Sequence, residues 1–405
     1  MDSAEKTLRV LISGAGIAGP ALAFWLSRLG HTCTIVERSS ELRSHGQQID
    51  IRMQGLEAAE RMGLLEDVRK IIVDQPAVQF VDAQGKCCAK FPGFDQGFVT
   101  ETEVMRGDLC NLLVEKTKDT TEYRFGLSVV SFQDKKDGVT VTFSDDTSDT
   151  YDMLVAADGQ GSRIRRSLLL EDEPDCARSL GVNIAFFTIS RQPGDSNIAS
   201  VYVAPGKRAM VTRFHSATHG QGYFFSMSRT EELKKSQRMD VALQKELWAS
   251  IFRDAGWQSD RLVSEMLRAD DFHAQSSTQI RAKTWSKGRV VCLGDSGYCP
   301  TSFTGMGASL ALVGAYVLAG EMSESPDRLD VAIASYERVL RPLVKGAQRI
   351  PPGVPGLMHP EKGWAIKVLQ FVLWAVIMMG LERPLQAFVF KKTAWDLPDY
   401  PRLRA

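Results

Sequence analysis

Cysteine is scarce and unpatterned in this chain of 405 residues. Of its seven cysteines, only Cys87 and Cys88 are neighbours. There is no Cys-x-x-Cys pair, and no histidine and carboxylate spacing typical of a metal site. The sequence therefore indicates neither a zinc site nor a disulfide framework, and we expect no bound metal. Reduced thiols are typical of the cytoplasm, where we expect the protein to reside.

An excess of charge of either sign is also absent. Lysine and arginine together number 49, as do aspartate and glutamate, so the formal net charge is zero. Because no basic cluster is interleaved with aromatic residues, we expect no nucleic-acid partner. The first residues, MDSAEKTLRV, contain no long apolar stretch, and we expect no secretory signal. The composition is that of a globular protein, and the length favours more than one domain.

Long hydrophobic runs are missing except near the C-terminus, where residues 368–381 read VLQFVLWAVIMMGL. This run of about 14 residues is shorter than the roughly 20 that a membrane-spanning helix needs. A helix that is apolar on nearly every face is either fully buried or in contact with lipid. We expect residues 364–381 to form a buried helix that packs against the domain junction and helps close a pocket there. Membrane association through the same residues is the less favoured alternative.

The start of the chain has a strand, turn, helix, strand pattern. Residues 8–13 (LRVLIS) and 32–37 (TCTIVE) predict strands, and residues 20–29 predict an apolar helix between them. This order predicts a parallel pair with a right-handed crossover. Residues 288–293 predict another strand and residues 305–322 a long apolar helix, so a nucleotide-binding type of fold is indicated at both ends of the chain.

The middle of the chain is richer in strand patterns. Residues 54–71 and 105–118 predict helices, residues 122–157 predict strands, and a further helix is expected near 238–255. We expect an α/β fold in which a strand-rich domain is inserted into a Rossmann-type dinucleotide-binding domain. The expected boundaries are 1–75, 101–175 and 285–345 for the dinucleotide-binding domain, 76–100 and 176–284 for the substrate domain, and 346–405 for a linker and C-terminal helix.

The first strand leads into Gly14-Ala15-Gly16-Ile17-Ala18-Gly19, which fits the Gly-x-Gly-x-x-Gly motif of dinucleotide-binding proteins. Gly14 permits a tight turn, Gly16 lets the backbone approach a pyrophosphate, and Gly19 lets the helix pack close to the strand. Glu37 ends the second strand, where a carboxylate binds a ribose hydroxyl. Arg38 follows it as a further candidate cofactor contact, but the carboxylate of Glu37 argues against a 2′-phosphate in this pocket. The alternative is an ordinary glycine turn with a surface glutamate.

Two later motifs also follow predicted strands. Asp158 and Gly159 come after the apolar run MLVAA, although an Asp-Gly pair is also a common turn. Asp295 comes at the end of the strand at 288–293, and Gly305 and Gly307 open the long helix. A carboxylate beside a glycine-opened helix suits the ribityl hydroxyls of a flavin, and the helix N-terminus stabilises negative charge on the flavin ring.

These three motifs, in this order and widely spaced, resemble the signatures of the flavoprotein aromatic hydroxylases, the family of para-hydroxybenzoate hydroxylase. The resemblance covers roughly residues 8–345 and is closest to the tetracycline-destroying monooxygenases. It implies FAD as the cofactor and NAD(P)H as co-substrate, with NADPH favoured. Two departures from the family pattern are Tyr298, where a histidine is usual, and Ser309, where an asparagine is usual.

The resemblance also implies roles for individual residues. The segment from Arg43 to Asp50 (RSHGQQID) is similar to that of the tetracycline-destroying enzymes, and it implies that Asp50 contacts the flavin and Arg43 the nicotinamide cofactor. Arg106 begins an Arg-x-x-Leu helix start, whose arginine contacts FAD in the family. Asp158 and Gly159 are implied to help bind FAD and NAD(P)H, and Arg163 and Arg165 match basic positions there.

A single glycine fingerprint indicates that NAD(P)H binds only transiently. The resemblance implies a monooxygenase in which a flavin C4a-hydroperoxide hydroxylates or epoxidises a small aromatic or polycyclic substrate of secondary-metabolite type. The flavin carries this chemistry, so we single out no catalytic side chain. Aromatic residues of the strand-rich segment are candidate walls of the substrate pocket, although alternating aromatics in strands more often form plain core: Phe186, Phe187, Phe214, Tyr223 and Phe225.

Other functions share these motifs. An FAD-dependent reductase or dehydrogenase that acts without O₂ is the main alternative, and a non-catalytic flavin-binding protein is the alternative of a different class. A flavin-dependent halogenase is disfavoured because the Trp-x-Trp-x-Ile-Pro motif is absent.

Overall fold

A computed structural model of the chain describes residues 6–42, 46–93, 100, 102–169, 176–351, 353–389 and 394–404. The strands are β1 Arg9–Ser13, β2 Thr32–Glu37, β3 Gln48–Asp50, β4 Ala77–Val81, β5 Cys87–Pro92, β6 Glu103–Met105, β7 Thr121–Phe125, β8 Val129–Lys135, β9 Gly138–Phe143, β10 Ser148–Tyr151, β11 Met153–Ala156, β12 Ala177–Ser190, β13 Ala199–Ala204, β14 Arg208–Phe214, β15 His219–Ser226, β16 His273–Ile280, β17 Ser286–Lys287 and β18 Val290–Cys292. The helices are α1 Ala18–Arg28, α2 Gln54–Arg61, α3 Leu65–Lys70, α4 Arg106–Glu115, α5 Arg163–Leu169, α6 Thr230–Ser236, α7 Val241–Phe252, α8 Ser259–Arg268, α9 Asp295–Tyr298, α10 Gly307–Glu324, α11 Leu329–Ala347, α12 Gly363–Met378 and α13 Glu382–Val389.

A six-stranded sheet joins the two ends of the chain in the order β17-β18-β11-β1-β2-β7. The strands β18, β11, β1, β2 and β7 run parallel, and β1 and β2 are connected by α1 as predicted. The inner strands are apolar along their length because both faces of the sheet are covered. The helices α1 and α10 pack against each other beside this sheet, where Leu22, Trp25 and Tyr316 are buried.

A second, seven-stranded sheet has the order β16-β12-β15-β14-β13-β4-β5. Its strands come from both segments that the sequence predicts to be strand-rich, and β4 pairs in parallel with β13. One face is covered by α6, α7 and α8, where Phe187, Phe224 and Trp248 form an aromatic core. The other face carries Phe186 and Tyr223.

Several predicted elements are divided in the structure, and glycines in the left-handed region explain two of the breaks. Gly126, at φ +71°, ends β7, so the predicted strand around it becomes two. The strand β7 joins the six-stranded sheet, whereas β8, β9 and β10 form a separate three-stranded sheet. Gly63, also at φ +71°, separates α2 from α3. The sequence analysis predicted α7 but missed α6 and α8, which flank it.

The C-terminal apolar run forms α12, but the expectation that this helix is fully buried was wrong. Only one side of it packs on the seven-stranded sheet, where Leu373 lies against the cluster of Phe80 and Phe91. The opposite side is exposed, because the single sheet face offers contacts in only one direction. Among the described residues, no helix is both long and apolar enough to cross a membrane.

Candidate functional site

The candidate site lies at the carboxyl ends of four neighbouring parallel strands, β18, β11, β1 and β2. The glycine turn follows β1, Glu37 ends β2, Asp158 follows β11, and Asp295 follows β18. Three motifs that are far apart in sequence therefore meet at one edge of the sheet. In open α/β sheets this edge is where ligands bind.

The glycine turn has no room for side chains. Gly14 adopts φ +115°, and a Cβ atom there would lie 2.5 Å from the carbonyl oxygen of Ala157, the residue before Asp158. A Cβ on Gly19 would lie 2.1 Å from the carbonyl oxygen of Gly14. Gly14 thus lets the first motif pack directly against the second, and Gly19 lets α1 pack against the turn that precedes it.

The carboxylate of Glu37 is held at the mouth of this turn. Its two oxygens accept hydrogen bonds from the backbone N–H groups of Ala15 (3.0 Å) and Ser39 (3.1 Å). These two hydrogen bonds fix the Glu37 side chain against the glycine turn. Arg38, the adjacent residue, is exposed.

Arg106 lies over the same turn. A Cβ on Gly16 would be 3.4 Å from Nη2 of Arg106, so the guanidinium is close to the N-terminus of α1. A helix N-terminus and a guanidinium both attract phosphate. The prediction that Gly16 and Arg106 serve the same ligand therefore has a geometric basis, although they are far apart in sequence.

The second motif is a tight turn in which Asp158 accepts a hydrogen bond from the backbone N–H of Arg163 (3.1 Å). Burial raises the pKa of Asp158. Gly159 adopts φ +83° and has open space where a Cβ would be. Arg165 has a structural role, since its buried guanidinium donates to the carbonyl oxygens of Ser296 (2.7 Å) and Gln160 (2.9 Å).

The third motif joins α9 to α10. Asp295 begins α9, and one of its carboxylate oxygens would be 3.9 Å from a Cβ on Gly307, the first residue of α10. Burial raises the pKa of Asp295, while a hydrogen bond with Cys299 and the positive charge of Arg106 partly offset the rise. A carboxylate at this position, beside a helix N-terminus, can accept hydrogen bonds from a polyol.

Asp50 and Gly305 form a neighbouring part of the site. Gly305 adopts φ +62°, and a Cβ there would be 2.9 Å from Oδ2 of Asp50. Asp50 pairs with the buried Arg52 (3.0 Å) and accepts a hydrogen bond from Thr100 (2.8 Å). The sequence analysis did not identify Arg52 or Thr100, because neither belongs to a motif.

The two departures from the family pattern lie in structural positions. Tyr298 is buried against Trp285 and is hydrogen-bonded to the hydroxyl of Tyr336 (2.9 Å), in the core beside α10 and α11. The hydroxyl of Ser309 accepts a hydrogen bond from the backbone N–H of Arg52 (2.8 Å), which ties α10 to the segment carrying Asp50.

A buried polar cluster connects the strands β3 and β6, which form a small two-stranded sheet, to the seven-stranded sheet. Glu103 on β6 forms an ion pair with Arg213 on β14, and Gln48 donates to Glu103 (3.1 Å). The backbone N–H of Gln48 in turn is shared between the side chains of Gln221 (3.1 Å) and Tyr223 (3.3 Å). Burial raises the pKa of Glu103, and the adjacent Arg213 opposes the rise. No local sequence pattern indicates this cluster, because its members come from four strands.

The predicted aromatic wall is only partly correct. Phe186, Tyr223 and Phe225 share the sheet face that meets Phe303, which lies just before Gly305. Phe187 and Phe214 instead belong to the core under α7 and α8. The reason is that successive side chains of a strand point to opposite faces, so neighbours such as Phe186 and Phe187 cannot line one wall.

Arg43, the predicted NAD(P)H contact, lies outside the described residues.

Comparisons with known proteins agree with this geometry. Residues 7–346 match a family described as FAD binding domain. The chain is 34% identical to the FAD-dependent monooxygenase asL4 of Sarocladium schorii over 98% of this chain and 99% of that protein. It is 37% identical to the flavin-dependent monooxygenase eupH of Phoma sp over 90% of this chain and 91% of that protein.

Two solved structures illustrate the similarity of fold. The tetracycline destructase Tet(51) has a TM-score of 0.80 and 27% identity, covering 98% of this chain and 100% of that chain. Klebsiella pneumoniae HpxO, complexed with FAD and uric acid, has a TM-score of 0.69 and 21% identity, covering 94% of this chain and 97% of that chain.

Proposed function

The chain belongs to the FAD-binding-domain family of flavin-dependent monooxygenases, and we propose that it inserts one atom of O₂ into a small aromatic or polycyclic molecule. The other oxygen atom leaves as water, and NAD(P)H supplies the two electrons. The observation that carries this proposal is the meeting of three motifs at one edge of the six-stranded sheet, beside an aromatic face of the seven-stranded sheet.

The residues at the sheet edge fit FAD. The glycine turn and Arg106 would hold the pyrophosphate, Glu37 the adenosine ribose, and Asp295 the ribityl hydroxyls. Asp50 would hold the turn at Gly305 beside the flavin ring. When bound, FAD supplies the electron transfer and the activation of O₂. The protein positions the reactants and excludes water.

The substrate is proposed to lie between the flavin and the face formed by Phe186, Tyr223 and Phe225. This face offers apolar contacts, while the ion pair of Glu103 and Arg213 lies at its polar end. Pockets that combine an apolar wall with a few polar groups suit ring systems that carry oxygen substituents. The names of relatives such as the tetracycline destructases are consistent with such substrates.

NAD(P)H is proposed to bind transiently, because the chain has one glycine fingerprint rather than two. NADPH remains the favoured donor, and Arg43 the residue that contacts it. The division into an FAD-binding domain (1–75, 101–175, 285–345), a substrate domain (76–100, 176–284) and a C-terminal part (346–405) is also kept as a proposal, together with a cytoplasmic location.

The proposal can be tested by substrate-stimulated NAD(P)H oxidation in the purified yellow protein. Phenolic, polyketide and indole compounds would be screened with and without O₂. We expect a substrate to accelerate NAD(P)H oxidation and to be converted only when O₂ is present. Conversion of the same compound under anaerobic conditions would instead assign the protein to the reductases.

A further inference from the structure

The helix α12 presents an apolar face that nothing in the described part of the chain covers. Trp364, Phe371 and Met378 are 66%, 63% and 66% exposed and recur every seven residues, so they lie on one side of the helix. Val368, Val372, Trp374 and Met379 are exposed beside them. This outward face runs along roughly 20 Å of helix, at 1.5 Å per residue.

The charges around the outward face are mainly basic. Between Gly363 and Leu381 the only charged residue is Lys367, and it is exposed among the apolar side chains. Lys362 precedes the helix and Arg383 follows it, both exposed. Of the nearby carboxylates, Glu361 is paired with Lys207 (3.4 Å), and Glu382, beside Arg383, is less exposed than the three basic residues.

We propose that the outward face of α12 docks on the surface of an anionic phospholipid bilayer. Helices with exposed tryptophan, phenylalanine and methionine and flanking lysines bind in the interfacial plane, with the apolar side chains among the acyl chains and the lysines at the headgroups. A second copy of the chain would have to bury Lys367 within an apolar interface, which is costly without a partner for its charge. The headgroup phosphates provide that partner, since a lysine side chain can extend to them.

The position of α12 gives this docking a consequence for the enzyme. The helix packs on β5 and β13. Val201 on β13 lies opposite Val211 on β14, and residues paired across two strands point to the same face. Val201 packs with α12, and Val211 belongs to the cluster of Phe186 and Tyr223. The helix α12 therefore covers one part of the same sheet face whose other part is proposed to bind substrate. Docking would thus bring the substrate side of the sheet to the lipid surface, where apolar molecules partition.

Vesicle flotation of the purified, FAD-loaded full-length protein tests the proposal. We expect it to float with phosphatidylcholine vesicles that contain phosphatidylserine, and much less with phosphatidylcholine alone or at high salt. The variant Phe371→Glu/Met378→Glu should lower the partition coefficient at least tenfold, because each substitution replaces a large apolar group that the bilayer would bury with a carboxylate. Lys367→Glu should weaken binding to the anionic vesicles in particular.

A matched control is Met239→Glu/Leu243→Glu, which changes two exposed apolar residues near the start of α7 (53% and 60% exposed) and should float like the unaltered protein. Bound FAD and circular dichroism verify folding, and the single variant Phe371→Ser replaces the double one if folding fails. Absence of flotation, equal flotation with both vesicle types, or flotation that survives Phe371→Glu/Met378→Glu overturns the proposal. The proposal is also overturned if the unaltered protein is a dimer that does not bind vesicles and that Phe371→Glu/Met378→Glu dissociates. That result would assign the face to a second copy of the chain.

Discussion

The edge of the six-stranded sheet that carries the three motifs and the face of the seven-stranded sheet that carries Phe186 and Tyr223 are built in different ways. At the edge, the shape is made by backbone: Gly14 and Gly19 are held so closely that a Cβ atom would overlap a carbonyl oxygen. On the face, the shape is made by side chains such as Phe186, Tyr223 and Arg213. A backbone-built site tolerates little change and suits a constant ligand, here FAD. A site built from side chains can vary without loss of the fold, which suits the choice of substrate.

The sharpest test of this contrast is Gly14→Ala. The left-handed backbone alone costs roughly 1–3 kcal/mol for alanine, and the methyl group would meet backbone atoms of Ala157 that cannot move easily. We expect purified protein essentially free of FAD, measured by flavin absorbance. Gly30→Ala is the control, since Gly30 also has a positive φ, +77°, but no neighbouring atom within 4 Å of its Cβ position. Equal FAD loss in both variants would mean that backbone strain at a positive φ, and not the close contact of Gly14 with Ala157, causes the loss of FAD.

On the face, Arg213→Ala should destabilise the protein without the same loss of FAD. Removing one partner of a buried ion pair costs about 3–5 kcal/mol, because the buried carboxyl of Glu103 then lacks the cation that offsets its desolvation. Chemical denaturation measures the free energy of unfolding. The double variant Arg213→Ala/Glu103→Gln should recover part of this free energy, since a neutral amide replaces the buried carboxyl that has lost its cation. If the double variant is no more stable than Arg213→Ala, the pair is not coupled as described.

Asp295→Ala should weaken FAD binding by about 1–3 kcal/mol, since the ribityl hydroxyls lose their charged acceptor. Titration of the apoprotein with FAD gives the dissociation constant. Asp295→Asn keeps an acceptor oxygen and should have the smaller effect. Full affinity in Asp295→Ala would remove this residue from the FAD site.

The smallest effect on FAD content is expected for Arg43→Ala. Here the rate of flavin reduction by NAD(P)H should fall, because a cation that meets the phosphates of the donor is lost, while bound FAD remains near normal. Anaerobic stopped-flow absorbance separates the two. Loss of flavin with an unchanged reduction rate would make Arg43 an FAD ligand.

The same contrast explains how far the sequence alone could lead. The residues of the edge, such as Gly14 and Asp295, are found by short motifs, because each motif contains its own strand, turn and helix. The ion pair of Glu103 and Arg213 joins positions 110 residues apart, and no local pattern signals it. The aromatic wall was overestimated because Phe187 faces away from Phe186. For α12, the apolar run predicted the helix correctly. Composition alone does not show how many sides of a helix are buried, and only one side of α12 is.

Isotope labelling tests the central claim most directly. With ¹⁸O₂ as the oxidant and an accepted substrate, mass spectrometry should find one labelled oxygen atom in the product, and none when the label is in water. An unlabelled product, or label that enters only from water, would contradict the assignment of this chain as a monooxygenase.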